Sequence, residues 1–226
     1  LGWGANAAFD NASPFGSAAL AHASGASAFG TSATALGESS AAFGDSAAAN
    51  QDHSSAFGSY SIAGTYGTAV GTGAVATGTE SFAGGANTNA NSISSVAIGG
   101  DSINGAGGGA YVDATSDYGI AIGDHAQVKA SSEYGMALGY DASVHGFRGV
   151  AIGPDSTVTA DNAIAIGYGS LANVANTVSF GSAGHERVLV NVAEGALASG
   201  STDAVNGGQL YATNQNVSTN ATGISH

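Results

Sequence analysis

The chain has 226 residues, of which 3 are Lys or Arg and 16 are Asp or Glu, for a formal net charge of −13; there are 37 Gly and no Cys. Charged residues make up 8% of the sequence, against about 25% in an ordinary globular domain. With Lys129, Arg148 and Arg187 far apart, there is no cationic cluster to displace counterions from a nucleic acid or to meet an anionic lipid surface. Absence of Cys excludes a disulfide framework and thiol chemistry, and no apolar run reaches the ~18 residues of a spanning helix. The chain opens Leu1-Gly2-Trp3 without an initiator Met or a signal peptide and is read as a piece of something longer.

From the N-terminus a short unit repeats. It occurs as Ser27-Ala-Phe-Gly30, Thr34-Ala-Leu-Gly37, Ala41-Ala-Phe-Gly44, Ser55-Ala-Phe-Gly58, Thr68-Ala-Val-Gly71 and Val96-Ala-Ile-Gly99, often 7 residues apart. Further on it recurs as Ile120-Ala-Ile-Gly123, Met136-Ala-Leu-Gly139, Val150-Ala-Ile-Gly153, Ile164-Ala-Ile-Gly167 and Val178-Ser-Phe-Gly181, with steps between glycines of 16, 14, 14 and 14. A second half-unit follows each glycine, as in Ala126/Val128 and Ala142/Val144. Large and small residues alternate with period 2, so each half reads as a short strand. The glycine between them suits a turn that needs positive φ or close backbone approach. A coiled coil is excluded here, because a glycine every 7 residues would cost about 1 kcal/mol each in a helix. The expectation is an all-β, parallel β-roll solenoid over 1–182 with about 14 residues per coil. Roughly 13 coils would stack at ~4.8 Å into a rod on the order of 60 Å.

The long strand carries Val150 and Ile152 on one face and Ala151 on the other. Either the β-branched face fills the coil and the alanine face packs on a neighbour, or the reverse. Both faces are apolar, as in strands buried on both sides. One narrow roll cannot bury both, so self-association with closed cyclic symmetry follows.

The period breaks at 100–118, where the step from Gly99 to Gly123 is 24. Insertions in solenoids sit on an outer face, which makes Asp101, Asn104, Tyr111 and Tyr118 candidate ligand-contact residues. A smaller insertion lies near Ala130–Tyr134. Tyr118, Tyr134 and Phe147 recur ahead of successive strands, either as an exposed adhesive row or as a stack of equivalent positions.

Ser94-Ser-Val-Ala-Ile-Gly99 and its copies resemble the head repeat of trimeric autotransporter adhesins of the YadA-like type. Ser201-Thr-Asp-Ala-Val-Asn-Gly-Gly-Gln-Leu210 resembles the neck signature of that family through Asp203, Ala204, Val205, Asn206, Gln209 and Leu210. The resemblance implies a left-handed β-roll and a homotrimer, with a neck at 183–209 that narrows onto a trimeric coiled-coil stalk starting at 210–226. Arg187–Val192 reads as a strand leaving the last coil. Leu210, Thr213, Val217, Asn220 and Ile224 fall at a, d, a, d, a of a heptad. In that family an Asn at d holds a central anion, often chloride, which the resemblance carries to Asn220. Here Ala221 stands where the family often has Thr. No other cofactor and no metal is expected.

No Gly-x-Ser-x-Gly elbow and no His-x-x-x-His pair occurs among the Ser and His residues, so no enzyme activity is expected. The turn acids Asp124, Asp141 and Asp155 leave weak cation binding at subunit contacts as an alternative, against the several converging oxygens that a hard cation takes. The resemblance implies a cell-surface adhesin of the Gram-negative outer membrane, held by a membrane anchor outside this fragment. It would attach to host cells or extracellular matrix multivalently. The alternatives are a spacer that projects another head, or an ice-binding or polysaccharide-binding solenoid.

Overall fold

The computed structural model describes residues 2–100 and 108–224. It divides into two compact units, Leu1–Glu186 and Arg187–His226.

The first unit is a parallel β-solenoid. Among the described residues, two sheets of 12 strands run side by side, and successive strands of the chain alternate between them. One sheet holds three-residue strands such as Ser27–Phe29, Val96–Ile98 and Val150–Ile152, and the other holds two-residue strands such as Thr34–Ala35 and Ser143–Val144. Each strand pairs with its equivalents one coil away, Met136↔Val150↔Ile164 for example. Twelve coils therefore form rather than 13. The shortfall lies at the insertion: residues 85–88 separate the strands Phe82–Gly84 and Asn89–Ala90, whereas residues 99–110 separate Val96–Ile98 and Tyr111–Val112. The unit Thr34-Ala-Leu-Gly37 lies in the short-strand sheet. The apparent period of 7 arises because both half-coils carry the same alanine and glycine pattern in the N-terminal half.

Inside the coils, the alanine face won. Ala28, Ala42, Ala97, Ala121 and Ala151 of the long strands and Ala21, Ala35 and Ala49 of the short strands are fully buried. Val112, Val128, Val144 and Val158 replace the short-strand alanines toward the C-terminus and are also buried. Space for all four comes from three glycines on the opposing side. A Cβ on Gly119, Gly135 or Gly149 would lie 2.7, 2.9 or 2.8 Å from a valine Cγ1. Buried serines fill the remaining small positions and satisfy their hydroxyls locally; Ser40 and Ser81 donate to the carbonyls of Gly37 and Gly78 at 2.7 and 2.6 Å. Such pairing keeps a buried hydroxyl from being left without a partner.

The glycine that closes each long strand meets both demands read from the sequence. Gly30 has φ +139°, and a Cβ there would sit 2.2 Å from the carbonyl oxygen of Gly44 in the next coil. A second turn position carries no fixed residue type in the sequence. One residue in most half-coils is left-handed without being glycine, including Ser32, Ser46, Tyr60, His53, Tyr134 and Arg148, all with φ between 53° and 58°. That conformation normally costs an L-residue about 1–2 kcal/mol. Here it turns the N–H along the rod: Ser46 donates to Thr31 at 2.8 Å and Arg148 to Glu133 at 2.9 Å. The turns are thus hydrogen-bonded from coil to coil like the strands, which satisfies backbone groups that lie outside the sheets.

In the second unit the helix spans Gly207–Ile224. No strand forms at 187–192, where Val188 and Val190 are exposed. Among the described residues the expected strand has no partner strand. Among the described residues, no helix is long and apolar enough to cross a membrane.

Candidate functional site

Three surfaces hold the residues that sequence reasoning singled out. The first is the outward face of the long-strand sheet. With alanine turned inward, Phe29, Phe43, Phe57, Ile98, Ile122 and Ile152 face out and are 37–39% exposed. They form one apolar column running the length of the solenoid. Near the N-terminus the rings of Phe29, Phe43 and Phe57 stack with centroids 4.7 and 5.1 Å apart. Side-chain size is traded within a coil: Phe82 stands opposite Gly84, whose Cβ would lie 2.8 Å from the Phe82 ring. A continuous apolar column of this length is a surface for association rather than for solvent.

The second surface comprises the two turn edges that flank this face. On the edge that leads into the long strands, Tyr118 and Tyr134 stack at 5.1 Å with their planes 5° apart. Phe147 meets Tyr134 edge-on at 6.2 Å, and Arg148 lies over Phe147 at 4.7 Å. The aromatic row is both a stack and exposed, with Tyr118 and Tyr134 about half accessible. Tyr111 lies elsewhere, on the outward side of the short-strand sheet, and its hydroxyl donates to Asp113 at 3.0 Å. Asp113 also accepts from the backbone N–H and hydroxyl of Thr115. These bonds hold its carboxyl below the usual carboxylate range, the Thr115 N–H most of all. Tyr111 and Tyr118 therefore form no common site, and Asp101 and Asn104 lie outside the described residues. The outward column of the short strands reads Thr34, Ala48, Ile62, Val75, Asn89, which is not the regular threonine array of an ice-binding face.

The third surface is the neck, where the polar members of the signature tie the chain to itself. Asn206 and Gln209 form a reciprocal capping box at the helix start: Gln209 N–H donates to Asn206 Oδ1 at 3.0 Å, and Asn206 N–H donates to Gln209 Oε1 at 3.2 Å. Gln209 also donates to the Gly195 carbonyl at 2.6 Å and accepts the Gly195 N–H at 3.0 Å. Asn206 Nδ2 donates to the Val192 carbonyl at 3.1 Å, and Asp203 accepts the Ala196 N–H at 3.0 Å. Ala204 supplies a close approach, its carbonyl oxygen lying 2.3 Å from where a Cβ on Gly195 would be. The apolar members Val205 and Leu210 are more than half exposed, beside a shallow groove lined by Leu189, Val190 and Val192. No residue of the helix is buried. Thr213 turns its hydroxyl back to the Gln209 carbonyl. The Asn220 side chain makes no hydrogen bond among the described residues. Among those residues, no group of three or more His, Cys, Asp or Glu is placed to hold a metal ion.

Two family models match the chain. The YadA head domain repeat matches residues 21–47, 35–61, 63–88, 130–156 and 145–170. The coiled stalk of trimeric autotransporter adhesin matches residues 188–226. The chain belongs to the YadA-like trimeric autotransporter adhesins. Among solved structures, the collagen-binding domain of the Yersinia adhesin YadA is 34% identical over 66% of this chain and 83% of its own, with a TM-score of 0.49. A C-terminal YadA-like domain from Burkholderia pseudomallei is 33% identical over 34% of this chain and 46% of its own, with a TM-score of 0.32. For this adhesin the head repeats coincide with the solenoid, and the stalk match begins one residue after Arg187, where the second unit starts. The family is one of outer-membrane surface adhesins rather than of enzymes.

Proposed function

We propose that three copies of this chain associate through their long-strand faces into an adhesin head that attaches to host cells or extracellular matrix. The apolar column from Phe29 to Ile152 carries this reading, because it runs along most of the rod and, among the described residues, nothing covers it. Closed cyclic symmetry buries such a column on itself without leaving an open end. The exposed helix face of Leu210, Val217 and Ile224 adds a coiled-coil seam of the same order. Asn220, with its amide N–H groups uncommitted, fits a central anion such as chloride in that seam.

Attachment would be multivalent. Three identical outer faces present the same weak contact three times, and effective concentration multiplies the avidity by about 10²–10⁴. The head would stand at the surface of a Gram-negative outer membrane. Collagen is the first ligand to test, since the Yersinia relative is a collagen-binding domain.

The test compares the wild-type head with an Ile152→Asp variant on surfaces coated with collagen, laminin or fibronectin. Wild type should bind at least one surface and resist washing, and the variant, reduced to a monomer, should lose about 100-fold in apparent affinity. Equal binding by a monomeric variant would remove avidity from the mechanism. A trimeric wild type that binds no matrix protein and no host cell would make this head a spacer.

A further inference from the structure

We propose that the turn edge carrying Arg148 seats against the opposite turn edge of a neighbouring copy, with the guanidinium meeting that copy's Asp155. This rests on the trimeric reading above and adds the contact that flanks its apolar centre.

The solenoid has two cationic side chains, Lys129 and Arg148, and both lie on the edge that leads into the long strands. Arg148 is held in place by rings, 4.7 Å from the centroid of Phe147 and 5.7 Å from that of Tyr134. Among the described residues its guanidinium makes no hydrogen bond and no ion pair, so five N–H donors on a fixed platform remain open. Two aspartates of its own edge are already engaged by backbone donors. Asp161 accepts the Phe147 N–H at 2.9 Å, and Asp117 accepts the Ile93 N–H at 3.1 Å.

The opposite edge, which leads out of the long strands, is acidic in the same coils. Asp124, Asp141 and Asp155 follow one another there around Tyr140, and Asp141 above all raises the Tyr140 hydroxyl above its ordinary pKa. Asp141 lies 3.9 Å from His125. The Asp155 carboxylate takes no hydrogen bond or ion pair among the described residues. An open cation thus stands on one edge and an open anion on the other.

Symmetry brings the two together. When each long-strand face looks toward a three-fold axis along the rod, each flank meets the opposite flank of the next copy. A pure rotation has no component along the axis, so residues of equal height meet. In the chain Arg148 stands midway between Asp141 and Asp155, and hence about half of the ~4.8 Å strand spacing from each in height. The long arginine side chain covers that difference. The contact would close water out of the apolar column between the rolls.

The chain has no cysteine, which makes the test direct. Arg148→Cys combined with Asp155→Cys places the new thiols on opposite edges, with the strand Val150–Ile152 between them. Within one chain that exceeds the ~7 Å Cα separation that a disulfide tolerates. On oxidation the double variant should run as a covalent trimer on a non-reducing gel and revert with reductant. A charge exchange provides the second arm. Arg148→Glu should lower the melting temperature of the trimer by several degrees, and adding Asp155→Arg should restore it. A trimeric wild type whose double-cysteine variant stays in the monomer band, with no restoration by the charge exchange, overturns the edge contact and leaves the trimer standing. A monomeric wild type overturns the trimer itself. If Arg148→Glu leaves the melting temperature unchanged but weakens binding to a matrix-coated surface, the edge contact is overturned and Arg148 faces an external ligand.

Discussion

Two glycines on either side of the strand Ser27–Phe29, Gly25 and Gly30, separate the two ways in which glycine serves this fold. Gly25 has φ +68°, and the nearest atom to an added Cβ is Ser39 Oγ at 3.5 Å, an ordinary contact. Ala18 already holds φ 54° at the equivalent place in another half-coil. Gly25→Ala should therefore cost about 1 kcal/mol or less. Gly30 has φ +139°, in a region that is essentially glycine-only, where strain is worth about 1–3 kcal/mol. Its Cβ would also lie 2.2 Å from the Gly44 oxygen and 2.5 Å from the Gly44 carbon. Relief requires the coils to part by about 1 Å, which weakens the bonds that span that gap, Gly44 N–H to Phe29 and Ser46 N–H to Thr31, both at 2.8 Å. At about 1 kcal/mol for each bond, Gly30→Ala should cost about 3–5 kcal/mol per chain. For a chain of this length, about 2–4 °C accompanies each kcal/mol, so the two variants should melt roughly 5–15 °C apart. Thermal unfolding followed by circular dichroism reads the difference. Melting temperatures within about 2 °C of each other would refute the claim that coil-to-coil approach fixes the glycine column.

Overpacking the coil interior should be equally visible. Ala97 is fully buried, so Ala97→Leu should lower the urea midpoint by an amount worth about 1–3 kcal/mol; an unchanged midpoint would argue against a closely packed alanine core. Asn206→Ala removes the cap and the bond to Val192, and should cost the helix about 1 kcal/mol, read as lost ellipticity at helical wavelengths. Asp113 has a lowered carboxyl pKa because Thr115 and Tyr111 donate to it. A depressed folded-state pKa adds stability above the ordinary carboxylate value of about 4 and loses it as pH falls through the folded value. The melting difference between wild type and Asp113→Asn should then be constant near neutral pH and shrink on acidification. A difference that widens in acid would contradict the assignment.

The solenoid and the neck were legible in the sequence because both repeat a fixed physical demand. Each coil needs a glycine where Gly30 and Gly139 approach the next coil, and the helix needs the Asn206 and Gln209 pair at its start. The direction of the long strands was not legible, since Ala151 and its neighbours Val150 and Ile152 make both faces apolar. Volume decides it: two facing sheets of a 14-residue coil leave room for alanine from the long strand, with valine opposite only where Gly119, Gly135 or Gly149 yields space. The left-handed turn residues escaped notice for a different reason. Ser, Tyr, His and Arg fill that column, and the hydrogen bond from each turn to the previous coil overrides their local preference. The break at 100–118 looked like a single insertion. In the structure Tyr111 keeps its place between Asn89 and Gln127, and Tyr118 stacks on Tyr134 in its own column. The strand expected at 187–192 failed because strand propensity without a pairing edge does not make a strand.

The most direct measurement is the solution mass by light scattering of the 226-residue chain and of its Ile152→Asp variant, with circular dichroism on both. If the long-strand face joins the copies, wild type has three times the 21.5 kDa chain mass, and the variant falls to a single chain while keeping its β spectrum. A folded, monomeric wild type, or a variant that remains trimeric, would contradict the assignment of that face.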